Sequence, residues 1–273
     1  MDYSFVNIKA KFDIYELFIA ELSEIGFDSF EEKEDELLAY IPSQQLNEAL
    51  LATTLNKIDS NVKYSIQKLE NKNWNQEWEA QFDPLTIADK VHIRADFHPA
   101  SKHQYEIVIT PKMSFGTGHH ETTSMMITQM LEHSWVDNTV LDVGSGTGIL
   151  SFAASFFGAS KCIGVDNEEW AYHNSIENAK ANNLNNCSFV LGTIDDIAHQ
   201  QYQKVLANIN KNVIKLEIQK YISSLASGGV MFLSGFLISD EKEVSDLVIS
   251  YGLKKQKSLN KNNWACLSFQ KDE

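Results

Sequence analysis

Cysteine, proline and glycine are all scarce in this 273-residue sequence, and each shortage excludes something. The three cysteines, Cys162, Cys187 and Cys266, stand far apart with no C-x-x-C pair. That argues against a zinc knuckle or a disulfide framework and suits a reducing, cytoplasmic setting. Four prolines and 13 glycines are too few for a linker-rich or extensively disordered chain. No stretch approaches the roughly 18 uninterrupted apolar residues of a membrane-spanning helix. The opening "MDYSFVNIKAKFDIYELF" has no basic stretch leading into an apolar core, so no signal peptide is expected. Positive charge is also short: 23 Lys and Arg face 37 Asp and Glu, for a net −14. The excess is uneven, since residues 1–60 hold 13 acids and 4 bases. Such a surface repels nucleic acid and anionic membrane and attracts a basic protein, although acidity also serves solubility.

What is present falls into two patterns. The first ~70 residues mix periods. "YSFVNIKA" alternates like a half-buried strand, and "DIYELFIAELSEIG" has helical spacing, with Asp13 to cap it and Gly26 to stop it. "FDSFEE" and "ELLAYI" read as strands joined by a charged tip, "SQQLNEALLATTLNKI" as a helix opened by Pro42-Ser43, and "VKYSIQKL" as a last strand. The order βαββαβ is the ferredoxin-like pattern. In "ENKNWNQEWEAQFDPL", Trp74, Trp78 and Phe82 recur every four residues, the face of a connecting helix. "VHIRADF" and "YEIVIT" read as a strand pair around a solvated "HPASKHQ" loop. From Asp137 strands and amphipathic helices alternate strictly, and an antiparallel pair, "LKKQKSL" and "WACLSF", closes the chain. Short apolar strands alternating with helices imply an α/β fold, a parallel sheet covered on both faces. The expected organisation is a small α+β domain over 1–70, a linker helix over 71–83 and an α/β domain over 84–273.

Chemistry concentrates at the start of that alternation. In "VLDVGSGTGIL" a strand runs into Asp142, Gly144, Gly146 and Gly148, and a helix begins at once. Glycines there let backbone N–H groups approach a ligand. The dinucleotide fingerprint is G-x-G-x-x-G with pyrophosphate at the helix N-terminus, whereas this spacing is G-x-G-x-G with an acid two residues ahead. An acid in that place suits a ligand with a positive end. Asp166 closes the next strand, 22 residues after Gly144, where a carboxylate accepts from ribose hydroxyls. Glycine loop, ribose acid and no Lys/Arg clamp for pyrophosphate together point to a nucleoside with a cationic amino-acid tail, S-adenosyl-L-methionine. Asn208 ends the fourth α/β strand in "VLANIN", on the crevice where strand order reverses, and can offer its carbonyl to an amine N–H or simply form a turn. "FGTGHHETT" (115–123) precedes the loop. His119 and His120 are adjacent rather than i, i+4 on a helix, without a nearby Cys or acidic cluster, so no metal site is expected, while a part in shaping the pocket or removing a proton stays open.

"FGTGHHETT", "LDVGSGTGIL", "GVD", "LANI" and "LSGFL", in that order and beside "NWNQEW", resemble the PrmA family, methyltransferases of the eleventh large-subunit ribosomal protein. The resemblance covers essentially the whole chain. It implies a class I (Rossmann-like) methyltransferase sheet and an N-terminal ferredoxin-like domain that captures the protein substrate. The implied reaction is methylation of lysine ε-amines and the N-terminal α-amine. Carried over position by position, the family's cofactor contacts fall on Thr123, Gly144, Asp166 and Asn208, with Gly146 in the same loop and Asn208 orienting the amine. Two departures stand out: the polar run "NKN" (210–212), where the family is more apolar, and the acidity of the N-terminal part. The expected partner is a basic ribosomal protein met by a monomer, with no nucleic acid and no membrane. Alternatives are a class I methyltransferase with another protein or small-molecule substrate, a nucleotide-binding oxidoreductase, and an idle binding module on the same sheet.

Overall fold

A computed structural model describes residues 3–11, 14–33, 35–68, 83–110, 118–197 and 200–273. The chain divides into two units, 1–74 and 75–273. Asp13 and the helix expected over 71–83, apart from Asp83, lie outside the described residues.

In the first unit the elements are β1 (Tyr3–Lys9), α1 (Tyr15–Glu24), β2 (Ser29–Lys33), β3 (Glu36–Pro42), α2 (Glu48–Ile58) and β4 (Lys63–Lys68). They form an antiparallel sheet in the order β2-β3-β1-β4. The alternation in β1 sets which face is buried: Val6 and Ile8 point inward and meet Ala39 and Leu37 across the ladder. A one-residue slip would turn that set to solvent. Tyr15, Phe18 and Leu22 of α1 and Leu51 and Leu55 of α2 complete the core. Helix α2 starts later than "PS" predicts. Asn47 is its N-cap, with Oδ1 accepting the Leu50 N–H at 3.1 Å, so residues 43–46 form a turn and lead in.

The second unit opens with a small sheet. β5 (Leu85–Ile87) is antiparallel to β6 (Val91–Arg94), and β6 runs parallel to β7 (Tyr105–Val108). The intervening loop is tied down rather than merely solvated. Arg94 donates to the carbonyls of Ala95 and His98 and to Glu106, and the Glu106 carboxylate takes the Ser101 N–H. That guanidinium holds the Glu106 carboxyl down at about 2. Next come α3 (Glu121–Met130), β8 (Thr139–Val143), α4 (Ile149–Phe156), β9 (Lys161–Asp166), α5 (Glu169–Ala181), β10 (Cys187–Leu191), β11 (Tyr202–Asn208), α6 (Lys211–Ser224), β12 (Leu225–Leu237), α7 (Glu241–Ser250), β13 (Lys254–Lys261) and β14 (Trp264–Gln270).

The strands from β8 onward make one sheet in the order β10-β9-β8-β11-β12-β14-β13. The first five are parallel, and β14 is antiparallel to both its neighbours. Both faces are buried, as near-continuous apolar strands require. Val140 and Leu206 face one core with Met126, Trp135 and Phe152, while Leu141, Val205 and Ala207 face the other with Ile214, Ile218 and Val244. Strand order reverses between β8 and β11, so their carboxyl ends open a crevice. No helix among the described residues is long and apolar enough to cross a membrane.

Candidate functional site

The crevice at that reversal is a cavity of about 600 Å³, within the range of small-molecule sites. Its walls come from the ends of β8, β9 and β11, the start of α3, and Trp264 of β14. Thr123, Gly144, Gly146, Asp166 and Asn208 all line it, so the structure brings these five predicted residues to one place.

Local chemistry explains the loop. Gly144 has φ +68°, and a Cβ there would collide with Ile209 beyond the end of β11. Gly148, φ +84°, is the N-cap of α4, and a Cβ would lie 2.6 Å from the Phe152 ring. Both positions therefore require glycine on conformational and spatial grounds. The Gly146 N–H donates to Asp166 Oδ2 at 2.8 Å, and the Glu168 N–H donates to Oδ1 at 3.0 Å. Each carboxylate oxygen keeps a further acceptor site for a ligand hydroxyl.

Asp142 behaves differently from the expectation. It is buried, does not line the cavity, and turns toward α4, where Oδ2 accepts the Ser151 hydroxyl at 2.8 Å and the Ser151 N–H at 3.1 Å. It organises the strand-to-helix turn rather than meeting a ligand. Burial pushes its carboxyl up to about 7, with a smaller push from Asp166. Between about pH 4 and 7 the folded state thus binds this proton more tightly than the unfolded state does. Its contribution to stability therefore falls as pH rises across that window and levels off above it. Relative to Asp142→Asn, which cannot ionise, the wild-type chain should lose on the order of 2–4 kcal/mol from pH 4 to 7. Thermal unfolding of both proteins across pH measures this, and parallel curves would refute it.

Asn208 donates through Nδ2 to Thr123 Oγ1 at 3.2 Å, joining β11 to α3. Its Oδ1 is buried without a hydrogen-bond partner among the described residues. An orphaned buried acceptor is costly, so one in a cavity wall marks a place for a donor. The described walls carry three carboxylates, Asp166, Glu168 and Glu217, and no Lys or Arg. A pyrophosphate would find no counter-charge there, whereas a cation would.

The two histidines separate. His120 lines the cavity and caps α3, with Nδ1 accepting the Thr122 N–H at 3.3 Å, and its ring meets Trp264 edge-on at 4.7 Å. His119 Nε2 lies 2.7 Å from the Asp83 carbonyl and does not line the cavity. The polar "NKN" run also has a reason: Asn210 caps α6 at the Val213 N–H, and Lys211 bridges to Asp240 and Glu243 of the α7 end. Sequence reasoning missed Trp170, Thr193, Val213, Glu217 and Trp264 in the walls. Only the exposure of Trp170 and Val213, 46% and 36%, sets them apart, and exposure is a property of the fold.

Comparison with known proteins identifies the family. The family model described as "Ribosomal protein L11 methyltransferase (PrmA)" matches residues 14–272. A ribosomal protein L11 methyltransferase of Bacteroides fragilis is 36% identical over 262 residues, covering 94% of each chain. The protein of that name from Porphyromonas gingivalis is 37% identical over 264 residues, covering 94% of this chain and 91% of its own. Among solved structures, the ribosomal protein L11 methylase of Lactobacillus delbrueckii subsp. bulgaricus superposes with a TM-score of 0.64 at 21% identity. It covers 70% of this chain and 99% of its own, a likeness of fold.

Proposed function

The chain belongs to the ribosomal protein L11 methyltransferase (PrmA) family, and from that premise we propose that it methylates lysine ε-amines and the N-terminal α-amine of ribosomal protein L11. The methyl donor is S-adenosyl-L-methionine. The observation that carries this reading is Asn208 Oδ1, unpartnered among the described residues, in the wall of a cavity whose described lining holds carboxylates and no Lys or Arg.

The residues fit such a donor. The Asp166 carboxylate, with acceptor capacity left on both oxygens, would take the ribose hydroxyls. Gly144 and Gly146 let the backbone approach, and Thr123 and Asn208 line the same cavity. When bound, the donor supplies a methyl group already activated on a sulfonium. The chain's own task is to present the amine. A free lysine is neutral in roughly one molecule in a few thousand at pH 7, and desolvation on entering the cavity raises that fraction. Asn208 Oδ1 would accept one amine N–H and so aim the lone pair. With that orientation secured, proton loss to water suffices and no strong base is required. His120 serves as helix cap and wall, its Nδ1 engaged with Thr122.

Residues 1–70 are assigned substrate recognition, 71–83 the link and 84–273 catalysis, in a cytoplasmic monomer that engages neither nucleic acid nor membrane. Incubation of purified L11 with the protein and methyl-labelled S-adenosylmethionine, followed by mass spectrometry, tests the reading. Mass gains in whole methyl increments on lysines and the N-terminus are expected. Asp166→Ala should weaken donor affinity about 100-fold or more, as expected for losing two charge-assisted hydrogen bonds of roughly 1.5 kcal/mol or more each. L11 unmodified by an enzyme that binds the donor would sink the substrate assignment in favour of another protein or a small molecule.

A further inference from the structure

Helix α5 and its C-cap carry Asn174, Asn178 and Asn182 at four-residue intervals, on one face. Asn174 and Asn178 are fully buried. Four residues of helix rise about 6 Å, close to the roughly 6.7 Å spanned by two residues of a strand. Amides at i and i+4 on α5 can therefore meet alternate residues of an extended chain, and they do. Asn182 Oδ1 accepts the Val108 N–H at 2.7 Å, its Nδ2 donates to the Val108 carbonyl at 2.6 Å, and Asn178 Oδ1 accepts the Thr110 N–H at 2.8 Å. The helix face thus pairs with the chain at and beyond the end of β7 as a neighbouring strand would.

Asn178 does more than continue that ladder. Its Nδ2 donates to the carbonyl of Thr147 at 3.0 Å and to Asn174 Oδ1 at 2.6 Å. Thr147 lies between Gly146 and Gly148 and precedes the N-cap of α4, so its carbonyl stands outside the helical ladder. One residue away, the Gly146 N–H reaches the Asp166 carboxylate. The amide therefore ties the glycine loop to α5, the helix that follows β9 and its terminal Asp166. Asn182 makes three hydrogen bonds as well, but to Val108 and to the Asn178 carbonyl, none of them to the loop.

We infer that Asn178 is a positioning residue for the methyl donor, holding the glycine loop in place through the Thr147 carbonyl. The inference rests on the reading of the cavity as the S-adenosylmethionine site. Asn178→Ala should raise the Kd for S-adenosylhomocysteine and the KM for S-adenosylmethionine about tenfold, with kcat at saturating donor changed less than about threefold. Asn182→Ala removes as many hydrogen bonds and should lower Tm comparably, yet leave both constants within about twofold. Where alanine at 178 costs the fold, Asn178→Ser leaves room for a water. The Gly146 amide should then exchange faster than in Asn182→Ala. Equal loss of Tm in the two variants with donor constants unchanged, or equal exchange at Gly146, would make Asn178 purely structural. Failure of the wild-type protein to bind S-adenosylhomocysteine would instead overturn the cavity reading and this inference with it.

Discussion

Replacing Asn208 with alanine should lower kcat for L11 methylation about 10²–10³-fold, the range seen when a positioned hydrogen-bonding group is removed from a reacting centre. The Kd for S-adenosylhomocysteine should rise no more than about tenfold, because the loop and Asp166 are left intact. Both expectations come from the side chain's asymmetry. Its Nδ2 is engaged with Thr123, whereas its Oδ1 is buried with no donor among the described residues. Asn208→Asp separates the two ends. A carboxylate keeps an acceptor for the amine, and the Thr123 hydroxyl can turn to donate to its other oxygen. That variant should stand between wild type and alanine in kcat. Isothermal titration with S-adenosylhomocysteine and single-turnover methylation distinguish the effects. An alanine variant within threefold of wild-type kcat would remove Asn208 from the chemistry.

Removal of residues 1–68 should abolish L11 methylation, by more than about 10³ in kcat/KM, while donor affinity stays within about threefold. The second unit holds both cores of the large sheet and every described residue lining the cavity, and the first unit has a core of its own. The deletion therefore takes away no described residue of the donor site. What it removes is half of the net charge, 13 acids against 6 bases in residues 1–68. Opposite charge raises the rate of encounter with a basic substrate, and salt screens it over roughly 8–10 Å at physiological strength. The full chain should accordingly lose L11 turnover as ionic strength rises, with donor affinity much less affected. Undiminished turnover by the truncated protein would end the assignment of residues 1–70 as the recognition domain.

The fold was legible because its signals are local. Strict alternation in "YSFVNIKA" and the switch to short apolar strands after Asp137 each follow from one element meeting one core, and both appear where expected. Boundaries were harder: α2 begins at Glu48 because Asn47, rather than Ser43, supplies the cap. The parallel pairing of β6 with β7 was also unreadable, since it depends on Arg94 and Glu106 folding the loop between them. At the site, the glycines, Asp166 and Asn208 stood out because each closes a strand or a turn, where residue type and position carry meaning together. Asp142 shows the limit of that logic. Its place in the motif was plain, but whether it faced ligand or helix depended on the Ser151 hydroxyl nine residues on.

By itself the sequence determined the two folding units' internal patterns, the glycine loop, and the acid and amide at the strand ends. These are set by backbone geometry and burial within a few residues. Only the tertiary structure decided that Trp264 and His120 share a wall with Asn208, that Asp142 is withdrawn, and that Asn178 grips the loop. Such contacts join residues that are tens of positions apart or more, through strand order and register. That pairing is a property of the whole packed sheet, and no short window of residues encodes it.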